Sequence, residues 1–449
     1  MTRTARRIAV FATLALCSTE LTAQGLREQF GKLFTFGSGD QLFLSGSADP
    51  NNPETVQVHG AHFVPARVGA NGAIISFISN AIAGSAASAP ISAASAGTTF
   101  RFEGGVPVAT SGSAGPLFAE RAQTLGQGRM FAGINRTSAS YKAIRGVPLD
   151  DIRLIFTHEN VTEASSPGCS AANAGNCDQM GVPRLENDLM LFNLSLDVTA
   201  SVTSLFFAYG LTDRIDVSFA APLVSVSLNG TSSAEVVPFG GPPSVHFFGG
   251  TGDAPVLNAK NSVSGSATGI GDVAARVKVN LSQNDRVGFG VLVDARFPTG
   301  SEDDLLGTGN SSTRALAVVS ARFGDFSPHA NVGMLVRTGE TESNAFLATI
   351  GFDHLIRPGA TLAVDMIAEL QAGDSKFELP TTVNYQTPFA RSINPNPIPE
   401  VRDNLVSGSI GVKFRTWRDM NGVVNTIVPL NRGGLRPNML WTFGVEYSF

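Results

Sequence analysis

Residues Asn438 to Phe449 read NMLWTFGVEYSF, and their side chains alternate. Met439, Trp441, Phe443, Val445, Tyr447 and Phe449 take every second position, with Leu440, Thr442, Gly444, Glu446 and Ser448 between them. A period of two is strand geometry, here with one apolar, aromatic face and one mixed face. A strand of this kind, running to a Phe at the end of the chain, closes a transmembrane barrel. As the edge of a soluble sandwich the same strand would be an aggregation hazard. The expected fold is all-β, a transmembrane antiparallel β-barrel.

The other end of the chain points to the same compartment. Arg3, Arg6 and Arg7 precede the apolar run Ile8 to Cys17, and Ala23 supplies a small-residue exit. That pattern predicts a signal peptide over 1–23 and an outer-membrane destination. The apolar run is too short to cross a bilayer as a helix, and no other stretch is continuous enough to do so. Charged residues make up 15% of the chain, below the usual quarter for soluble domains. The net charge of −5 gives no argument for nucleic acid as a partner. Removing 1–23 removes Cys17 and leaves Cys169 and Cys177 in the segment PGCSAANAGNCD. In an oxidising compartment that pair reads as a disulfide closing a short loop. No cofactor and no metal site are expected: the six His residues are scattered, and His59 with His62 lack an evident third ligand.

Residues 24–97 are not barrel-like. Leu26 to Phe36 could form an amphipathic helix, and Ile74, Phe77, Ile78 and Ile82 sit at helical spacing. This region is expected to be a small, partly helical plug or periplasmic segment, with the barrel over 98–449. Strand patterns run over 98–104, 128–143, 150–158, 188–210, 214–229, 269–282, 286–297, 313–324, 327–339, 344–355, 360–372, 404–416, 422–430 and 438–449. The expectation is about fourteen strands, within roughly twelve to sixteen. Tight turns carrying Asp, Asn, Gly and Pro alternate with long connections at 159–187, 230–268, 298–312 and 373–403. Short periplasmic turns opposite long outer loops are the outer-membrane arrangement.

Charge placement fixes which face meets lipid. Val273, Ala275, Val277, Val279 and Leu281 oppose Asp272, Arg276 and Lys278. Val287, Phe289, Val291 and Val293 oppose Asp294 and Arg296, Ala315 and Val319 oppose Arg314 and Arg322, and Val364 and Met366 oppose Asp365 and Glu369. A slip by one residue would turn those charges into lipid, at about 2–4 kcal/mol for each Arg near mid-depth. The lumen-lining candidates are therefore Asp272, Arg276, Lys278, Asp294, Arg296, Arg314, Arg322, Arg337, Asp365 and Glu369. Their signs are mixed, so mutual pairing that stiffens the wall competes with a charged translocation path. Pro222 lies inside the strand 214–229 and cannot donate a ladder hydrogen bond, which makes it the candidate for a lateral opening.

Several short motifs carry a resemblance. They are Tyr209-Gly210-Leu211-Thr212-Asp213-Arg214-Ile215-Asp216, Gly269-Ile270-Gly271-Asp272 with Lys278, Phe297-Pro298-Thr299-Gly300, Gly307-Thr308-Gly309, and Pro429-Leu430-Asn431 with Gly434-Leu435-Arg436-Pro437. In this order they resemble the outer-membrane transporters linked to the meta-pathway of phenol degradation, relatives of the FadL-type long-chain fatty-acid transporters. The resemblance covers a little over half of the chain. It implies about fourteen strands, an N-terminal hatch and passive uptake of hydrophobic compounds. Residues 24–127 carry no motif that aligns with such a hatch.

Gly269-Ile270-Gly271-Asp272 also mimics a dinucleotide fingerprint, but its period of two continues through Leu281 where that motif needs a helix. A barrel phospholipase would need a Ser and a His paired on the outer wall, and no such pair is in register. The expected function is a non-enzymatic channel for passive uptake of small hydrophobic, aromatic or fatty-acid-like compounds. Its partners would be outer-membrane lipid and that small hydrophobic ligand, with the oligomeric state left open. The alternative is a structural or adhesive barrel whose long loops, including the Pro-rich 380–399, bind an external partner.

Overall fold

The computed structural model describes residues 25–36, 63–64, 78–79, 81–82, 100–103, 106–109, 115–116, 119–158, 188–240, 246–284, 286–339, 342–376, 379, 382–385, 389–417 and 420–449. The expected signal segment and the Cys169–Cys177 disulfide lie outside these residues.

A short helix, α1 (Leu26–Lys32), precedes the strands. The first eleven strands are β1 (Phe63–Val64), β2 (Phe100–Glu103), β3 (Val106–Ala109), β4 (Met130–Ile144), β5 (Val147–Pro148), β6 (Ile152–His158), β7 (Leu189–Thr212), β8 (Ile215–Val237), β9 (Gly249–Gly250), β10 (Pro255–Val256) and β11 (Asn258–Ile270). They are followed by β12 (Val273–Gln283), β13 (Val287–Phe297), β14 (Ser312–Ala321), β15 (Phe326–Arg337), β16 (Ala345–Arg357), β17 (Ala360–Gln371), β18 (Val383–Tyr385), β19 (Arg391–Ile393), β20 (Leu405–Trp417), β21 (Met420–Pro429) and β22 (Leu435–Ser448).

Among the described residues, 12 antiparallel strands close a ring. The order is β4, β7, β8, β12 to β17, β20, β21 and β22, and β22 pairs back onto β4. Closure removes every free edge within the membrane, where an unpaired backbone group has no water to bond. The count is twelve where the sequence suggested about fourteen. The patterns at 98–104 and 150–158 do form strands, but neither enters the ring: β2 pairs only with β3, and β6 pairs with the far half of β7 and with β1.

The end of the barrel that carries Phe449 also carries the tight turns. Phe449 and Met130 exchange backbone hydrogen bonds of 2.8 and 2.9 Å there. At one of these turns, Gly359 adopts φ +82°, a conformation open to glycine at no steric cost. The long connections all leave the opposite end, which marks the tight-turn end as periplasmic.

β7 and β8 have 24 and 23 residues, about twice what a membrane crossing needs. Their far halves leave the ring and stand above it. There β7 pairs with β6, which carries β1 at its edge, and β8 pairs with β11, forming a wing of five strands among the described residues. Part of the stretch 230–268, which sequence reading took for a loop, is thus strand. Its alternation persists but is carried by Ser, Thr, Asn, Ala and Gly, so a search for lipid-facing apolar residues passes over it. On the outer face of the wing, Asn229, Thr231, Ser262, Ser264 and Thr268 are exposed and Ser225 is half-buried. Two residues below Ser225 and Thr268, on the same strands, the exposed side chains become Leu223 and Ile270, and Leu205 of β7 is exposed beside them. The bilayer boundary is written in that change.

Below it the exterior is an apolar belt. Val277, Phe289, Val291, Val293, Val332, Met334, Phe346, Ile350, Met366, Ile410, Phe443 and Val445 are all exposed. Arg136 is an exterior charge at the upper margin of this belt, and its guanidinium donates to Ser201 Oγ at 2.9 Å and to Thr203 Oγ1 at 3.4 Å.

Candidate functional site

The interior has two tiers. The upper tier is apolar and is built on the inner face of the wing. Met190, Phe192, Leu194, Leu196 and Val198 of β7 point inward, as do Val224, Val226 and Leu228 of β8. Helix α1 lies across them with Leu26 and Phe30, followed by Leu33, Phe34 and Phe36. Phe34 stacks on Phe192 with centroids 5.0 Å apart, Phe36 meets Phe248 at 5.3 Å, and Phe156 meets Phe192 at 5.5 Å. Asn261 Nδ2 donates to the carbonyls of Lys32 and Thr35, and Ser232 Oγ donates to that of Leu33, so the C-terminal end of α1 is tied to β8 and β11. Ile78, Ile82, Leu305 and Leu306 belong to the same cluster.

The lower tier is charged and lies within the membrane-spanning ring. Residues 119–128 run down inside it. Glu120 N–H donates to Asn331 Oδ1 at 3.0 Å, and Asn331 Nδ2 returns a bond to the Glu120 carbonyl at 3.0 Å. Ala122 N–H donates to Ser320 Oγ, and the Ala122 carbonyl accepts from Asn280 Nδ2. Leu125 N–H donates to Asp216, and Gln127 N–H to Asp213, so the segment reaches the periplasmic rim before β4 begins. This lumenal segment falls within the range that sequence reading gave to the barrel wall, which begins only at Met130.

Ion pairs reinforce that grip. Glu120 takes Arg276 at 2.6 Å and faces Lys278 at 3.7 Å, and Lys278 also faces Asp216 at 3.6 Å. Arg121 pairs with Asp353. Beside it, His329 Nε2 lies 2.6 Å from Asp365 Oδ1, and His329 Nδ1 lies 3.7 Å from Asp353. Across the lumen, Lys413 Nζ pairs with Glu446 at 3.0 Å. Asp294 is the most crowded carboxylate: Arg276 lies at 3.0 Å, Arg314 at 3.3 Å and Arg296 at 4.0 Å.

Eight of the ten lumen-lining candidates sit on the inward parity of their strands, while Asp272 and Arg322 lie just beyond strand ends. Arg276, Lys278, Asp294, Arg296, Arg314 and Asp365 take part in the network just described. Asp272 instead anchors the loop after β13, accepting from Gly300 N–H and from the N–H and hydroxyl of Thr308. Arg337 pairs with Glu369 nearer the outer rim, and Arg322 lies at the periplasmic end. Glu120 and Arg121 escaped sequence reading. Their only signal is an adjacent pair of opposite charges shortly before the first wall strand.

Pro222 is buried, and its ladder with β7 is continuous through Thr203–Leu223, Ser204–Pro222 and Leu205–Ala221. On its other side β8 changes partner from β12 to β11, and the register shifts by one residue between Ala220–Ala274 and Leu223–Ile270. Gly271 N–H still donates to the Pro222 carbonyl at 2.8 Å. The missing proline N–H thus faces a bulge, where the ladder asks for no donor.

With this geometry in hand, known proteins offer a match. Residues 192–393 match the family model described as "Putative MetA-pathway of phenol degradation". The chain resembles this family over that stretch, a little under half of its length. No curated protein matches the chain. Among solved structures, the chain is similar to an outer membrane channel from Pseudomonas putida F1, at 12% identity and a TM-score of 0.38, over 73% of this chain and 98% of that one. It is also similar to a FadL homologue from Pseudomonas aeruginosa, at 11% identity and a TM-score of 0.30, over 72% and 89% of the two chains. The TodX monoaromatic hydrocarbon channel gives 10% identity and a TM-score of 0.33, over 73% and 92%.

Proposed function

We propose that this barrel is an outer-membrane channel for passive uptake of small hydrophobic compounds, aromatic or fatty-acid-like. The observation that carries the reading is the apolar upper tier, with its cluster of Phe side chains inside the wing and open to no lipid. A water-filled diffusion pore has a polar interior throughout. Here the inner wall facing the outside of the cell is built for apolar cargo, and the polar path below it is occupied by residues 119–128. Cargo would displace α1 from the wing, so α1 and the lumenal segment together act as the plug expected for residues 24–97. A sideways exit at Pro222 gains no support, because the wall there is hydrogen-bonded on both sides. Outer-membrane lipid and the small hydrophobic ligand are the partners of this reading.

The test pairs two assays on the full chain. Cells with an intact lipopolysaccharide layer that produce it should take up N-phenylnaphthylamine faster than cells without it. Proteoliposomes should show little swelling with sugars. Uptake unchanged by the protein would refute the channel and favour the adhesive barrel. Free permeation by sugars would make it a general pore.

A further inference from the structure

On the outer wall, the register brings a cation to the line where the exterior stops being apolar. Trp441, Ser138, Ser201, Ser225 and Thr268 are neighbours across β22, β4, β7, β8 and β11. All but Trp441 carry hydroxyls, and Thr268 Oγ1 donates to Ser225 Oγ at 2.9 Å. The row below, on the same strands, is Phe443, Arg136, Thr203, Leu223 and Ile270. In the row below that, Ile134 lies beside Leu205, and both are exposed. Arg136 therefore springs from the first apolar row, and its guanidinium reaches up to Ser201 and across to Thr203. Among the described residues these two hydroxyls are its only partners. An Arg placed this way keeps its stem on the apolar wall and its head at the interface. The hydroxyls fix the guanidinium without neutralising it, and its other N–H donors are left for an anion. Beside it the exposed rings of Trp441 and Phe443 stack with centroids 6.3 Å apart. Aromatic side chains of this kind settle at head-group level.

We propose that Arg136 holds a phosphate of lipid A, the membrane anchor of lipopolysaccharide. The sugars of the lipid lie along the row of hydroxyls, and its acyl chains run down past Phe443, Ile134 and Leu205. The place, the charge and the wall above select this ligand. Arg136 stands at the end of the belt opposite the tight turns, so it faces the outer leaflet. A phosphate supplies both the missing charge and acceptor oxygens, and charge-assisted bonds of this kind are about twice as strong as neutral ones. Above the row, the wing continues the exterior upward with Ser227, Asn229, Ser264 and Ser266. A saccharide can follow that wall, whereas the small head group of a phospholipid ends at its foot. The site is on the outside of the barrel, so the inference depends on where the bilayer ends and not on the uptake reading.

The experiment titrates the detergent-solubilised full chain with lipid A and reads the bound fraction by native mass spectrometry. Dephosphorylated lipid A, phosphatidylglycerol and inorganic phosphate are the comparison probes. The variants are Arg136→Gln and Arg136→Lys, with Arg214→Gln, in the periplasmic turn between β7 and β8, as a control of equal charge change. Heat-modifiable migration on gels confirms that each barrel is folded. Arg136→Gln should bind lipid A about tenfold more weakly than wild type, the worth of one charge-assisted bond. Arg136→Lys should lose less, and Arg214→Gln should bind as wild type does. Equal binding by wild type and Arg136→Gln would overturn the site and leave Arg136 as a cation that merely snorkels to water. An equal loss in Arg214→Gln would reduce the effect to overall charge and overturn it too. Dephosphorylated lipid A bound as tightly as lipid A would overturn the role of the phosphate. Phosphatidylglycerol bound as tightly as lipid A, or lipid A displaced by millimolar inorganic phosphate, would overturn the lipopolysaccharide assignment.

Discussion

Replacing Asp353 by Asn should unlatch the segment that fills the lumen. In the folded chain Asp353 is fully buried and Arg121 is 5% exposed, so solvent screens their pair little. The substitution keeps the shape of the side chain and removes its charge. Removing one partner of a buried ion pair costs about 3–5 kcal/mol. Four hydrogen bonds from Asn331, Ser320 and Asn280 would still hold Glu120 and Ala122. With the Glu120–Arg276 pair and the bonds of Leu125 and Gln127, they keep the closed state the more populated one. Even the lower figure raises the ratio of open to closed lumen by about a hundredfold. Single-channel recording in planar bilayers reads that ratio directly. Wild type should conduct rarely, and Asp353→Asn should open often and with larger steps. The double change Arg121→Met with Asp353→Leu should close it again, because apolar residues of similar volume replace a buried pair at little cost. An Asp353→Asn barrel that migrates as folded and conducts no more than wild type would refute the latch.

Other outcomes follow from the same geometry. Val291→Arg, in the middle of the lipid-facing belt, should lower folding stability in lipid by about 2–4 kcal/mol, while Asn229→Arg on the outer face of the wing should change it little. Equal effects in urea titrations of the two variants would mean that the bilayer boundary is misplaced. Gly210→Ala should weaken the periplasmic end, because a Cβ there would meet the Gly126 carbonyl oxygen at 1.9 Å. A lower temperature for loss of heat-modifiable migration checks this. Glu342, in the outer connection between β15 and β16, has its carboxyl held above the usual range, chiefly by burial. Between its ordinary and its raised pKa the folded chain keeps a proton that the unfolded chain releases, so stability falls as pH rises through that window. Glu342→Gln should flatten this fall, measured as hydrogen-exchange protection of the loop across the acidic range, and an unchanged slope would contradict it.

Alternation along each strand was legible in the sequence because it is a local property with a period of two. It fixed the barrel class, and it told Val291 from Asp294 and Met366 from Asp365 as lipid-facing or inward without any knowledge of neighbours. The wing was harder to see. Above the bilayer nothing requires an apolar exterior, so the Ser and Thr of β8 and β11 looked like loop. The ring size also depended on pairing: β6 has an ordinary strand pattern, and only its place on the far half of β7 keeps it out of the ring. The lumenal latch joins residues far apart in the chain, with Glu120 bound 211 positions away at Asn331 and Arg121 bound 232 positions away at Asp353. Local pattern sets which way a side chain points. Which side chain it meets across the lumen is decided only when the wall closes.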